Sequence, residues 1–125
     1  MEILFDKSGY PSEDSLEKIE QMAYKSEEEV KAVLDSIGEA WEYDDYFIKI
    51  NDDLYRISTG GWSGNESLIG AFKRNLYQHI WTKIFMVDGG HYIIAFGEVR
   101  ENLKEQMFHF YRDFLERYED GAVEL

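Results

Sequence analysis

Two features of this 125-residue sequence combine residue types and spacings suited to chemistry: a glycine-rich run and a surplus of carboxylates. The run is Thr59-Gly60-Gly61-Trp62-Ser63-Gly64-Asn65-Glu66, set between an alternating segment and a helical stripe. Glycines that let backbone approach closely, followed by the N–H groups of a helix start, suit an anion. Gly60, Gly61 and Gly64 supply the approach, and Ser63 with Glu66 forms a capping-box pattern that would open the helix. The run is neither G-x-x-x-x-G-K-S/T nor G-x-G-x-x-G, and Asn65 stands where a nucleophile elbow requires glycine. It reads either as a tight connection with Trp62 tucked into the core, or as a loop using Ser63, Asn65, Glu66 and His91 around an anionic small molecule. His91, beside Gly89-Gly90, could pair with Glu66 or Asp88 as an acid–base couple; an ordinary strand-end histidine fits the same place. His79, His91 and His109 lack metal-ligand spacing. Asp44-Asp45 and Asp52-Asp53 lack the glycine of a calcium loop and read as solvated turns. No metal, no cofactor and no catalytic residue is assigned from the sequence.

The carboxylates are unevenly placed. Asp and Glu number 26 against 13 Lys and Arg, a formal charge of −13. Residues 1–45 hold 14 acids and 4 bases, a net of −10, whereas residues 46–97 carry a net of +1 and residues 98–125 a net of −4. Phosphate contacts supply most non-specific nucleic-acid affinity, so direct binding of DNA or RNA is disfavoured. Lys73, Arg74 and Lys83 make at most a small basic spot. A face of Glu13, Asp14, Glu17, Glu20, Glu28 and Asp35 would instead attract a basic surface, raising the association rate most at low salt. Acidic helix faces also serve solubility alone, and charge by itself does not separate the two.

The elements that must position these groups follow from hydrophobic period. Ser12, after Pro11, caps a helix with apolar positions Leu16, Ile19, Met22 and Ala23. Ser26-Glu27-Glu28-Glu29 is a capping-box pattern for a second helix, with Val30, Val33, Leu34 and Ile37 as its stripe and Gly38 as its stop. Residues 46–50 and 54–58 alternate around Asn51-Asp52-Asp53 and read as a hairpin. After the glycine run, Leu68, Ile69, Phe72 and Leu76 mark a third helix. Gln78–Val87 and His91–Phe96 form a second hairpin, apolar on both faces, which implies a sheet covered on both sides or one face reserved for a partner. A last helix over 99–118 carries Val99, Leu103, Met107, Phe110 and Phe114 on one stripe; Phe108, Tyr111 and Leu115 are either a second apolar surface suited to a homodimer or a partner groove, or simply core if another element covers them. The expected fold is α+β, in the order α-α-β-β-α-β-β-α, with an antiparallel sheet of about four strands packed with helices in a single domain over 1–125.

Composition agrees with a packed domain. Nine Tyr, 8 Phe and 3 Trp can fill a core, and the absence of Cys removes disulfides and thiolate metal sites. The longest apolar run, Tyr92–Phe96, is far short of the roughly 20 residues of a membrane span. Met1–Asp6 lacks a basic start and an apolar stretch, so no secretion signal is expected and a cytoplasmic location is.

Ile57-Ser58-Thr59-Gly60-Gly61-Trp62-Ser63-Gly64-Asn65-Glu66, with Ile69, Ala71 and Asn75, resembles a motif in small uncharacterised proteins of phage and prophage genomes. Trp81 and Gly89-Gly90-His91-Tyr92 match what tends to follow in that group, so the resemblance spans about residues 46–97. Ser67 departs from it, standing where the group has an acid. The resemblance implies a phage context, in the cytoplasm of a bacterial host, and assigns no catalytic residue. With the charge, the leading expectation is a non-enzymatic acidic protein that inhibits or modulates a basic host protein, such as a nuclease or other nucleic-acid-binding protein. Its docking set is Glu13, Asp14, Glu17, Glu20, Glu28 and Asp35, with Trp41, Tyr43, Asp44, Asp45, Tyr46 and Trp62. The alternatives are a ligand-binding domain or small enzyme built on the Gly60–Glu66 loop, and a virion or assembly component.

Overall fold

Ser12 and Ser26 open the first two helices of the structure, a computed structural model that describes residues 1–87 and 89–102. Ser12 Oγ accepts from the Ser15 N–H and Ser26 Oγ from the Glu29 N–H, each at 3.2 Å. Each bond satisfies one of the N–H groups that a helix start leaves without an intrahelical partner. Helices α1 (Glu13–Gln21) and α2 (Glu27–Ala40) follow. Glu29 reaches back to the Lys25 N–H at 2.6 Å, one residue before the position a capping box uses. Val30, Val33, Leu34 and Ile37 are all buried, as their spacing requires. On α1, Ile19 is buried and Leu16 and Met22 are half-buried, whereas Ala23 lies past the helix end and is exposed. Gly38 does not stop α2. The helix runs on to Ala40, and Gly38 instead makes room for Phe47, whose ring would stand 2.5 Å from a Cβ at that position.

Strands β1 (Phe47–Asn51) and β2 (Leu54–Ser58) form the first hairpin, and β3 (Lys83–Val87) and β4 (His91–Ala95) the second. Helix α3 (Ser63–Arg74) connects them, and a helix resumes at residues 97–102. The order is therefore α-α-β-β-α-β-β-α, an α+β fold. The hairpins join through β2 and β4, giving the antiparallel sheet order β1-β2-β4-β3. The strand expected from Gln78 begins only at Lys83, because Asn75 Oδ1 accepts the N–H groups of Tyr77 and Gln78 and holds the chain in a 3-10 turn, Gln78–Ile80. Asn75 also donates to the carbonyls of Ile19 and Met22, both at 2.8 Å, which ties the end of α3 to the end of α1.

Strand alternation separates two faces. On the inner face Tyr55, Ile57, Ile94 and Phe96 are fully buried against Ile19 of α1, Leu34 and Ile37 of α2, and Leu68 and Phe72 of α3. Burying each such side chain is worth about 1.5–3 kcal/mol. All three helices thus lie on one side of the sheet. The outer face carries a smaller cluster, Ile93 and Ala95 with Leu54, Phe85 and Val87, met by Val99 from the helix at 97–102.

Tyr24, between α1 and α2, is only 3% exposed, and its hydroxyl has no hydrogen-bond partner among the described residues. Burial pushes its pKa well above the ordinary tyrosine value. Tyr55 is raised in the same direction by burial and by its bond to Asp35. Lys31 is pulled down by burial but raised overall by Asp53 and Glu27. In all three the folded state holds its proton more tightly, so their contribution is complete below the ordinary value, near pH 10 for tyrosine, and is lost as pH rises through the folded values. Stability should fall above about pH 10. Tyr24→Phe should unfold at the same or a higher urea midpoint at neutral pH, by up to about 1 kcal/mol. It should also lose less stability than the parent between neutral pH and about pH 11. A loss of stability in the variant at neutral pH would show that the hydroxyl has a partner.

Candidate functional site

The acidic residues divide once the helices are packed. Glu13, Asp14 and Glu17 project from the outer side of α1, exposed, and Glu28 is exposed at the start of α2. Among the described residues none of these four lies in an ion pair. Glu20 and Asp35 were expected on the same free face and are not. Glu20 meets Arg74 of α3 at 3.2 Å. Asp35 turns to the sheet, where it accepts from the Tyr55 hydroxyl at 2.8 Å and lies 3.5 Å from Lys49 Nζ. The reason is tertiary: the buried Tyr55 hydroxyl needs an acceptor, and α2 supplies one. Beside the free acids of α1 runs an open groove of about 410 Å³, lined by Asp14, Glu17, Lys18, Gln21 and Met22.

The expected docking aromatics also divide. Trp41 is buried at 3% exposure, and its indole N–H donates to the Ser58 carbonyl at 2.9 Å, so it fastens the end of α2 to β2 and is not a docking residue. Tyr43 and Tyr46 are exposed, with ring centroids 5.6 Å apart. Tyr43 takes a left-handed backbone, φ 69°, and its carbonyl accepts from the Tyr46 N–H to close the 3-10 turn Asp44–Tyr46. Asp45 is exposed beside them, and the side chain of Asp44 lies outside the described residues. The two rings sit on Gly60, where a Cβ would come within 2.8 Å of Tyr46.

The glycine loop is a fastening. Asn65 is fully buried, its Oδ1 accepts the Glu42 N–H at 3.0 Å, and its Nδ2 donates to the carbonyls of Glu42 and Thr59 at 2.8 and 3.1 Å. Gly60 and Gly61 take positive φ to complete the turn. Trp62 stacks on Tyr10 at 5.6 Å and covers Gly64, whose missing side chain leaves room for the indole. Ser63 does not cap α3: Trp62 occupies the N-cap, and no side chain bonds there. The Asn65 tie sets where the loop ends, and that places Ser63 inside the first turn. Glu66 is exposed and forms no ion pair with His91. Asp88 lies outside the described residues, as do Phe108, Tyr111 and Leu115.

His91 belongs to a different constellation. Its Nδ1 is 2.5 Å from Ser58 Oγ, and the two residues are cross-strand partners of β4 and β2 on the outer face. In the adjacent row Arg56 stands between Ile48 of β1 and Ile93 of β4. These residues line a cavity of about 360 Å³, together with Val87, Asp45 and Tyr46. The sheet thus brings together His91 from the expected ligand loop, Asp45 and Tyr46 from the expected docking set, and Arg56, which spacing did not single out. Arg56 was readable only as the polar position between Leu54 and Ser58 on the same side of an alternating strand.

Among the described residues no group of three or more His, Cys, Asp or Glu is arranged to hold a metal ion, and no helix is long and apolar enough to cross a membrane. No protein-family model, curated protein or solved structure matches the chain.

Asn65→Ala should remove three bonds, the buried one to the Thr59 carbonyl and two part-buried ones to Glu42, costing roughly 2–4 kcal/mol. Ser63→Ala should change stability by less than about 0.5 kcal/mol, since the hydroxyl caps nothing. Urea unfolding of the two variants tests the contrast; equal losses would contradict this account of the loop.

Proposed function

We propose that the protein is a small acidic binding protein, of phage type, whose helical side docks on a basic host protein, in the manner of an inhibitor that stands in for nucleic acid. What supports this reading is one-sidedness. Of the residues 1–45 that carry the net −10, the two helices hold nine acids against two bases, and both helices lie on the same side of the sheet. Three carboxylates of α1, Glu13, Asp14 and Glu17, are exposed and unpaired among the described residues. The groove beside them, two carboxylates against the one ammonium of Lys18, would take the aliphatic stem of a Lys or Arg on Met22 and its charged head at Asp14 and Glu17. The acidic side draws the partner in, and contact then fixes the pose.

The test is affinity capture from bacterial lysate with the parent and with a Glu13→Lys, Asp14→Lys, Glu17→Lys variant, at low and high salt. The parent should retain basic proteins that double-stranded DNA displaces, and the triple variant should lose them, as should the parent at high salt. Retention of the same proteins by the variant, or binding indifferent to salt, would sink the reading.

A further inference from the structure

On the opposite side of the sheet we infer a second site: the outer-face cavity binds a small organic monoanion, a carboxylate carrying an aromatic or aliphatic body, with Arg56 as its anchor. The cavity, about 360 Å³, falls within the usual range of small-molecule sites, about 300–1,000 Å³. Its chemistry is divided in the way an amphiphilic anion requires. Ile48, Ile93 and Val87 give an apolar floor, held by three strands in fixed register. Arg56 rises from the middle of that floor, flanked on both neighbouring strands by isoleucine.

Arg56 is unusual among the arginines: of the other two among the described residues, Arg74 pairs with Glu20 and Arg100 donates to the carbonyls of Ile80 and His79. Arg56, in a chain with twice as many acids as bases, has no carboxylate partner and no hydrogen-bond acceptor among the described residues. A guanidinium fork that meets no acceptor among the described residues matches the two oxygens of a carboxylate. His91 adds a donor. When Ser58 donates its hydroxyl proton to Nδ1, the ring proton lies on Nε2, which is left as a donor.

The same surroundings choose between anions. One guanidinium neutralises one negative charge. A phosphate monoester brings nearly two, and the second would add to the repulsion from Asp45, which lines the same cavity, within a molecule of net charge −13. A nucleotide is disfavoured for the same reason. Tyr46, 45% exposed and in the cavity lining, offers a ring against which an aromatic body can stack.

Titration of the isotope-labelled full chain with phenylacetate, followed by amide NMR, tests the site. Acetate, benzyl alcohol and phenyl phosphate separate the contributions of apolar body, charge and charge number. Phenylacetate should shift the amides of residues 56–58 and 91–93 and bind more tightly than the other three. Arg56→Gln should weaken it roughly tenfold or more, and Arg56→Lys should fall between, keeping the charge without the fork. Arg56 is exposed, so both variants should keep the parent's amide spectrum elsewhere. The inference is overturned by shifts that miss β2 and β4, by equal affinity in Arg56→Gln, or by benzyl alcohol or phenyl phosphate binding as tightly as phenylacetate.

Discussion

Tyr55 stands fully buried at the centre of the inner sheet face, between the rings of Phe47 and Phe96, each 6.0 Å away and steeply inclined to it. Edge-to-face pairs of this kind contribute about 0.5–1.5 kcal/mol each beyond the area they bury. The hydroxyl cannot be left without a partner at that depth, and Asp35 of α2 accepts from it. Asp35 in turn is approached by Lys49, whose ammonium also lies 5.5 Å from the centre of the Tyr55 ring. One buried phenol therefore fixes α2 across β1 and β2 and decides which side of the sheet the helices cover. Because side chains alternate along a strand, the same decision turns Arg56 and Ser58 to the other side.

The charge pattern follows from that placement. Three cations join separate elements: Lys31 of α2 meets Asp53 in the β1–β2 turn, Lys49 of β1 meets Asp35 of α2, and Arg74 of α3 meets Glu20 of α1. Partly exposed pairs such as these contribute only about 0–1 kcal/mol each to stability. Their larger effect is on the field. They neutralise acids where elements meet and leave uncompensated those at the outer rim of the helical layer. The acidic side is thus narrower than composition suggests, concentrated on α1 and the start of α2.

Much of this order was legible because hydrophobic period is a local property. The stripe Val30, Val33, Leu34, Ile37 and the caps at Ser12 and Ser26 depend on residues within two turns of one another, and all are present. Reading failed where a polar side chain answers to a distant backbone or hydroxyl group. Asp35 and Tyr55 are 20 residues apart, and Asn65 and Glu42 are 23 apart. Nothing in spacing marks Asn65 as a fastening and Ser63 as idle, or marks Trp41 as buried by its bond to Ser58. Gly38 misled for a related reason: a glycine near a helix end looks like a stop, and here it is a seat for Phe47. The Arg56–His91 neighbourhood was the hardest to foresee, because it exists only once β2 and β4 pair in register.

The acids on the outer side of α1 are separated from the outer sheet face by the sheet and by a helix about 10 Å across, more than the Debye length of about 8 Å at physiological ionic strength. At that ionic strength the acids of α1 are largely screened from the outer face, and the local guanidinium governs what an anion meets there. At low salt the screening is lifted: the helical side attracts cations more strongly, and the same field penalises an anion at Arg56. Ionic strength therefore acts on the two sides to different degrees. Salt weakens recognition of a basic surface by shielding an attraction. At the cavity it shields both the pull of Arg56 and the repulsion of the distant acids, so affinity there should vary far less with salt. The sheet, by holding the two chemistries apart, lets a strongly acidic chain keep one place where an organic anion is tolerated.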